Sequence, residues 1–250
     1  MQQEDPINSI ELTMIITLSG FSLGGLGLYW ASRKVAPATR HLRWVKFITY
    51  FCLVHSILLS ALLGSTVLGT FFLLVLVVGA WELGRTAIAA APEQFDWWVT
   101  AGAIYFLLSL GVLAFVFSST PQTVVFVYLV VAAFDGFSQV AGQLFGQHRL
   151  VGKISPDKTI EGAFGGLLFA AIVALLLRSL HGLTVFQSLE AGLLIVLFGL
   201  TGDLAASWMK RQSGLKDFGA ILPGHGGFLD RFDSFLFAGP ACFAFFYLRR

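Results

Sequence analysis

Apolar residues in this chain come in long uninterrupted blocks, with polar and charged residues collected between them. A hydrocarbon core asks for about 20 apolar residues per helix. That ruler predicts spans near 10 to 30, 47 to 63, 66 to 83, 97 to 117, 122 to 141, 160 to 180, 187 to 209 and 232 to 248. Gly64-Ser65 divides the second from the third. The expected fold is all-α, a polytopic transmembrane bundle of about eight spans. It forms a single integral-membrane domain over 1–250, with residues 1–120 as N-terminal spans and 121–250 as the half carrying the polar motifs.

Composition agrees: 56% of the 250 residues are hydrophobic and 12% are charged, with a mean hydropathy of +0.80. Cys52 and Cys242 fall inside apolar runs and read as small hydrophobes, not as a disulfide or zinc pair. A net charge of +2 is too small to point to nucleic acid. The N-terminal MQQEDPINSIEL has no basic start of a secretory leader. In an eight-span arrangement, 13 of the 16 Lys and Arg fall on one side. Inside-positive bias then places both termini outside the cytoplasm, with the polar loops at 142 to 159 and 210 to 231 inside it. The basic stretch Arg33 to Lys46 reads as a topology-setting loop.

Charge is concentrated in SWMKRQSGLKDFGAILPGHGGFLDRFDS, from Ser207 to Ser234. Pro223, Gly224, Gly226 and Gly227 around His225 predict a tight turn or a close backbone approach to a ligand. Asp203 and Ser207 are four apart and Lys210 and Arg211 follow, so one helical face carries an acid, a hydroxyl and two cations. Asp230 and Asp233 share a face at the start of the last span. Acids from these two helices have the chemistry to hold magnesium, which takes one or two carboxylates and leaves the rest to phosphate and water. The bland alternative is a ring of interfacial ion pairs. A second polar stretch, Lys153 to Glu161, offers Ser155, Pro156, Lys158 and Thr159 as a phosphate cradle or an ordinary helix cap. Asp135 lies within the fifth span and Glu82 near the end of the third, where an unpaired charge is costly and points to function; Glu82 reads equally as a partner for Arg85 three residues on.

The ordered run Lys210-Arg211, Lys216-Asp217, Pro223, His225-Gly226-Gly227, Asp230-Arg231, Asp233 resembles the signature of the phosphatidate cytidylyltransferases, the CDP-diacylglycerol synthase family. Asp135, Phe145-Gly146, Ile154-Ser155-Pro156, Lys158-Thr159 and Glu161-Gly162 resemble that family's other cytoplasmic motif. The sequence departs from it at Gly136-Phe137-Ser138, Gly142-Gln143-Leu144, Asp157 and Ile160. The resemblance implies cytidylyl transfer from CTP to phosphatidic acid at a membrane interface, in a bacterial inner membrane. It implies Asp203 and Asp230 as magnesium ligands, with Asp233 and Asp217 beside them and Asp135 at the site. Lys210, Arg211, Lys216 and Arg231 would hold phosphate charge, His225 would touch phosphate or pack the hinge, and Ser155, Pro156, Lys158 and Thr159 would grip the nucleotide. Potassium beside magnesium and a homodimer are left open. Two rival readings are a CTP-dependent polyprenol or phytol kinase, and a transporter or scaffold using the charged loops as an ion path.

Overall fold

A computed structural model describes residues 6–33, 35–89, 95–152, 154–224 and 226–247. Eight α-helices follow one another among the described residues: α1 (Pro6–Ala31), α2 (Pro37–Leu62), α3 (Ser65–Ala89), α4 (Phe95–Ser118), α5 (Pro121–Phe145), α6 (Ile160–Leu176), α7 (Val185–Gln212) and α8 (Leu229–Tyr247). Each expected span falls on one of them, except that the span expected from 160 to 180 runs past the end of α6 into a short 3-10 turn, Arg178–His181. Six, α1 to α5 and α7, are long and apolar enough to cross a membrane. The other two are shorter: α6 has 17 residues, and α8 has 19 and begins with Asp230 and Arg231 among its first three. At about 1.5 Å per residue α6 reaches roughly 26 Å, somewhat under the thickness of a hydrocarbon core. The chain is an all-α polytopic membrane bundle.

Helix ends are set by local chemistry. Gly64, at φ 115, breaks α2 from α3 where Gly64-Ser65 predicted it. Thr120 caps α5 through Thr123 N at 3.3 Å, with Pro121 in the first turn. Thr184 and Gln187 close a capping box on α7. One local expectation needs correction. From Pro37 to Lys46 the expected loop is helix: Pro37 fits the first turn, no breaker follows, and Arg40, Arg43, Trp44 and Lys46 ride the opening turns of α2. The fold also includes a small antiparallel hairpin, β1 (Arg149–Val151) with β2 (Ser155–Thr159), which leads directly into the helix start that Thr159 caps.

Small residues let α5 and α6 approach closely. Gly162 and Gly166 are one turn apart on α6 and face Ser138 and Gly142 on α5. A Cβ added at Gly166 would stand 1.9 Å from Ser138 Oγ and 2.7 Å from Phe134 O, and one at Gly162 would stand 2.7 Å from Ser138 O. This is the small-xxx-small packing by which membrane helices gain van der Waals contact where lipid supplies no hydrophobic drive. A cluster of aromatic rings lies within the otherwise largely aliphatic core: Phe72 stacks on Phe235 at 4.8 Å, and Phe232 and Tyr128 join them, tying α3 and α5 to α8.

The polar segments meet at one end of the bundle. Arg211 Nε donates to Ile154 O in the hairpin turn and its Nη1 to Leu215 O, so α7 fastens the hairpin to the loop before α8. Thr49 on α2 donates to Pro223 O at 3.2 Å in the same loop. Thr86 on α3 reaches Phe218 O at 3.5 Å.

Candidate active site

A cavity of about 310 Å³ opens at that end, lined from α5, the hairpin, the starts of α6 and α8 and the second half of α7. It brings together Asp135, Ser155, Lys158, Thr159, Asp203, Lys210, Asp230, Arg231 and Asp233, nine of the residues singled out from sequence. They come from two stretches about fifty residues apart in the chain. Pro156, Arg211, Lys216 and Asp217 do not line it: Pro156, Lys216 and Asp217 are exposed, and Arg211 is spent on the two backbone carbonyls. His225 and Lys153 lie outside the described residues.

Each buried acid is held in a particular way. Asp203, midway along the polar face of α7, accepts from Ser207 Oγ at 3.3 Å and pairs with Lys158 from β2. Asp230, in the first turn of α8, takes Lys210 Nζ at 2.7 Å on one oxygen. Its other oxygen accepts the backbone amides of Phe218 and Gly227, both at 2.9 Å. Asp233 accepts the adjacent amide of Ser234 at 2.8 Å. The expected single face of acid, hydroxyl and two cations on α7 therefore divides: Ser207 turns to Asp203, Lys210 crosses to α8, and Arg211 turns outward. Gly226 sits at φ +81, and a Cβ there would also stand 2.9 Å from Asp230 Oδ2 and 3.0 Å from Asp217, so only glycine serves this turn. Asp217 thus packs beside Asp230 from outside the cavity.

Thr159 caps α6 by accepting Gly162 N at 3.0 Å, while Glu161 accepts the amides of Gln147 and His148 and pairs with the His148 ring at 2.6 Å. Cap and hairpin are therefore one unit, which holds Ser155, Lys158 and Thr159 toward the cavity. Ser138 and Gln139 also line it, although sequence reasoning passed over both. They stand three and four residues after Asp135, one turn along the same face, and that spacing is the signal that finds them.

The lining carries five carboxylates, counting Asp157, against three cations, Lys158, Lys210 and Arg231. Among the described residues no three acidic, histidine or cysteine side chains form a ready-made metal cage. Both facts fit a divalent ion that arrives with a phosphate-bearing ligand and takes one or two carboxylates from the protein. Lysine ammonium groups on Asp203 and Asp230 mark where positive charge is already held.

A second, smaller cavity of about 160 Å³ adjoins the first, lined by Tyr50, Leu53, Tyr128, Val131 and Phe235. Asp135, Gln139, Asp230 and Arg231 belong to both. The second chamber thus joins an aromatic and aliphatic wall from α2, α5 and α8 to a polar border, Asp135, Gln139, Asp230 and Arg231, that it shares with the first.

A membrane helix bundle with an acid-and-cation chamber at its polar end is the class that fold and site define. A model of the cytidylyltransferase family matches residues 99–249, and the chain belongs to that family. Similar curated proteins are the phosphatidate cytidylyltransferases of Staphylococcus epidermidis, 45% identical over 120 residues, and of Staphylococcus haemolyticus and Staphylococcus aureus, each 44% identical over 119 residues. In each case the match covers 47% of this chain and 46% of the relative. The chain spans about half the length of the curated relatives it matches.

Proposed function

We propose that this protein transfers the cytidylyl group of CTP to the phosphate of phosphatidic acid, forming CDP-diacylglycerol and releasing pyrophosphate. The observation that carries the reading is the convergence of Ser155, Lys158, Thr159, Asp203, Lys210, Asp230 and Arg231 on one chamber, bordered by a second whose far wall is Leu53, Tyr128, Val131 and Phe235. Family membership and the names of the relatives support it.

The attacking group is a phosphate monoester, whose second pKa near 6 leaves it mostly ionised at neutral pH. No general base is needed, and the chamber has no nucleophile-and-base pair among its described residues. One of its oxygens attacks the α-phosphorus of CTP; a phosphorus–oxygen bond forms there as the bond to the pyrophosphate oxygen breaks. The obstacle is repulsion between two polyanions inside a chamber with more acids than cations. Lys158 and Arg231 supply fixed positive charge, Ser155 and Thr159 supply hydroxyls, and Arg231 stands where nucleotide and lipid phosphates would meet. Magnesium, held by Asp203 and Asp230 with Asp233 and Asp135 nearby, would screen the triphosphate and stabilise the leaving pyrophosphate. Purified protein in detergent with CTP, phosphatidate and magnesium is expected to form a CDP-lipid, and chelation of the metal to stop it; no CDP-lipid under those conditions overturns the reading.

The same reading places the chamber on the cytoplasmic side of a bacterial inner membrane, with both termini outside. Gly152 and Gly214 are exposed at the polar end of the bundle. Cysteines introduced there are expected to resist a membrane-impermeant maleimide in intact cells and to react once the cells are opened. Labelling in intact cells reverses the orientation.

A further inference from the structure

Glu82 has no place in the chamber, yet it is a carboxylate 1% exposed, deep on α3. The sequence suggests Arg85 as its partner, but the Arg85 guanidinium lies 4.9 Å above the Trp81 ring instead. The Glu82 carboxylate turns to the start of α8, where Oε1 accepts Phe228 N at 3.1 Å and Oε2 accepts Leu229 N at 2.9 Å. These are amides that a helix start leaves without intrahelical partners, and a carboxylate there also meets the positive end of the helix dipole. An acid from a distant helix caps α8.

The fit around it is close. A Cβ at Gly227 would stand 2.4 Å from Oε1 and 2.5 Å from Oε2, and one at Gly219 would stand 2.3 Å from Oε1. Gly79, Glu82 and Thr86 form one stripe of α3: Gly79 lies against Leu229 and Thr86 against Phe218. Asp230 grips the same loop from the other side through Phe218 N and Gly227 N. The segment carrying Asp230, Arg231 and Asp233 is therefore pinned by two carboxylates, one of them supplied by the N-terminal half of the chain, outside the residues that match the family model.

We propose that Glu82 is a positioning residue: by holding the Phe228 and Leu229 amides it fixes the first turns of α8, and with them the placement of Asp230, Arg231 and Asp233 in the chamber. This rests on the cytidylyl-transfer reading. The nucleotide-gripping residues Ser155, Lys158 and Thr159 come from β2 and do not depend on this clamp, so its loss should separate kcat from KM.

The test compares wild type, Glu82→Gln, Gly227→Ala and Val112→Ala, each full-length in detergent. Glutamine keeps the size but turns an NH2 toward one of the two amides; alanine at 227 drives into the carboxylate from the other side; Val112 is a buried residue of α4 and serves as a purely structural control. The first two variants are expected to lower kcat per folded protein at least tenfold, raise the magnesium concentration for half-maximal rate at least threefold, and leave KM for CTP within threefold. Amide hydrogen exchange should quicken at least tenfold in the peptide from Phe228 to Phe232. Val112→Ala should lower only the melting temperature. If wild type is active and Glu82→Gln keeps wild-type exchange, or keeps wild-type kcat and magnesium dependence, the assignment of Glu82 is wrong. An inactive wild type overturns the cytidylyl-transfer reading instead, and the exchange of the Phe228–Phe232 peptide still decides whether Glu82 holds the start of α8.

Discussion

Asp203→Asn is expected to lower kcat/KM for CDP-lipid formation about a thousandfold, roughly 4 kcal/mol of transition-state stabilisation. The substitution preserves shape and the acceptor for Ser207, so folding should survive. Its effect is electrostatic. The chamber loses one of five carboxylates, Lys158 loses its charged partner, and a divalent ion loses a hard oxygen ligand that a neutral amide replaces poorly. Asp203 is partly shielded from water, and a shielded charge counts for more than one in bulk solvent, which is why one oxygen-to-amide change outweighs its size. Steady-state kinetics across magnesium concentration, at equal folded fraction, reads the result; activity within threefold of wild type would remove Asp203 from the chemistry.

The largest expected effect on stability comes from Gly166→Val. A side chain there must enter space occupied by Ser138 Oγ and the Phe134 carbonyl, and the latter is backbone that cannot rotate aside. Overpacking of this kind costs about 3 kcal/mol or more, which for a chain of this size corresponds to a melting temperature lower by roughly 6 to 12 °C. Since α6 carries Thr159's cap and follows the hairpin directly, activity should fall with it. Gly136→Ala on α5 is the matched control: a Cβ there meets nothing within 4 Å, and its melting temperature should stay within about 1 °C of wild type. Similar shifts for both would mean that α5 and α6 do not pack as described.

Much of this arrangement is legible in the chain because membrane helices announce themselves by composition. Eight apolar blocks mark eight helices, and breaks such as Gly64 and Pro121 mark their ends. The two polar stretches stand out because charge is scarce elsewhere. What the pattern hides is long-range pairing. Periodicity places Lys210 and Arg211 beside Asp203 on α7, but which acid each cation meets is decided by how α7 and α8 pack, and Lys210 meets Asp230. Glu82 is the sharpest case. Read locally, its neighbour is Arg85, three residues on; in the fold its partners are amides about 146 residues away, and only the absent side chains at Gly219 and Gly227 hint at the space it fills. The hairpin escapes for a different reason: the three residues of Arg149–Val151 are too short a run to show alternation.

The most direct measurement follows the phosphorus. Protein incubated with phosphatidate, magnesium and CTP labelled at either the α- or the γ-phosphate should place the α-label in the lipid fraction and release the γ-label as pyrophosphate. Label from the γ-phosphate in the lipid, with CDP released, would make the protein a kinase, and no label in the lipid from either position would contradict cytidylyl transfer altogether.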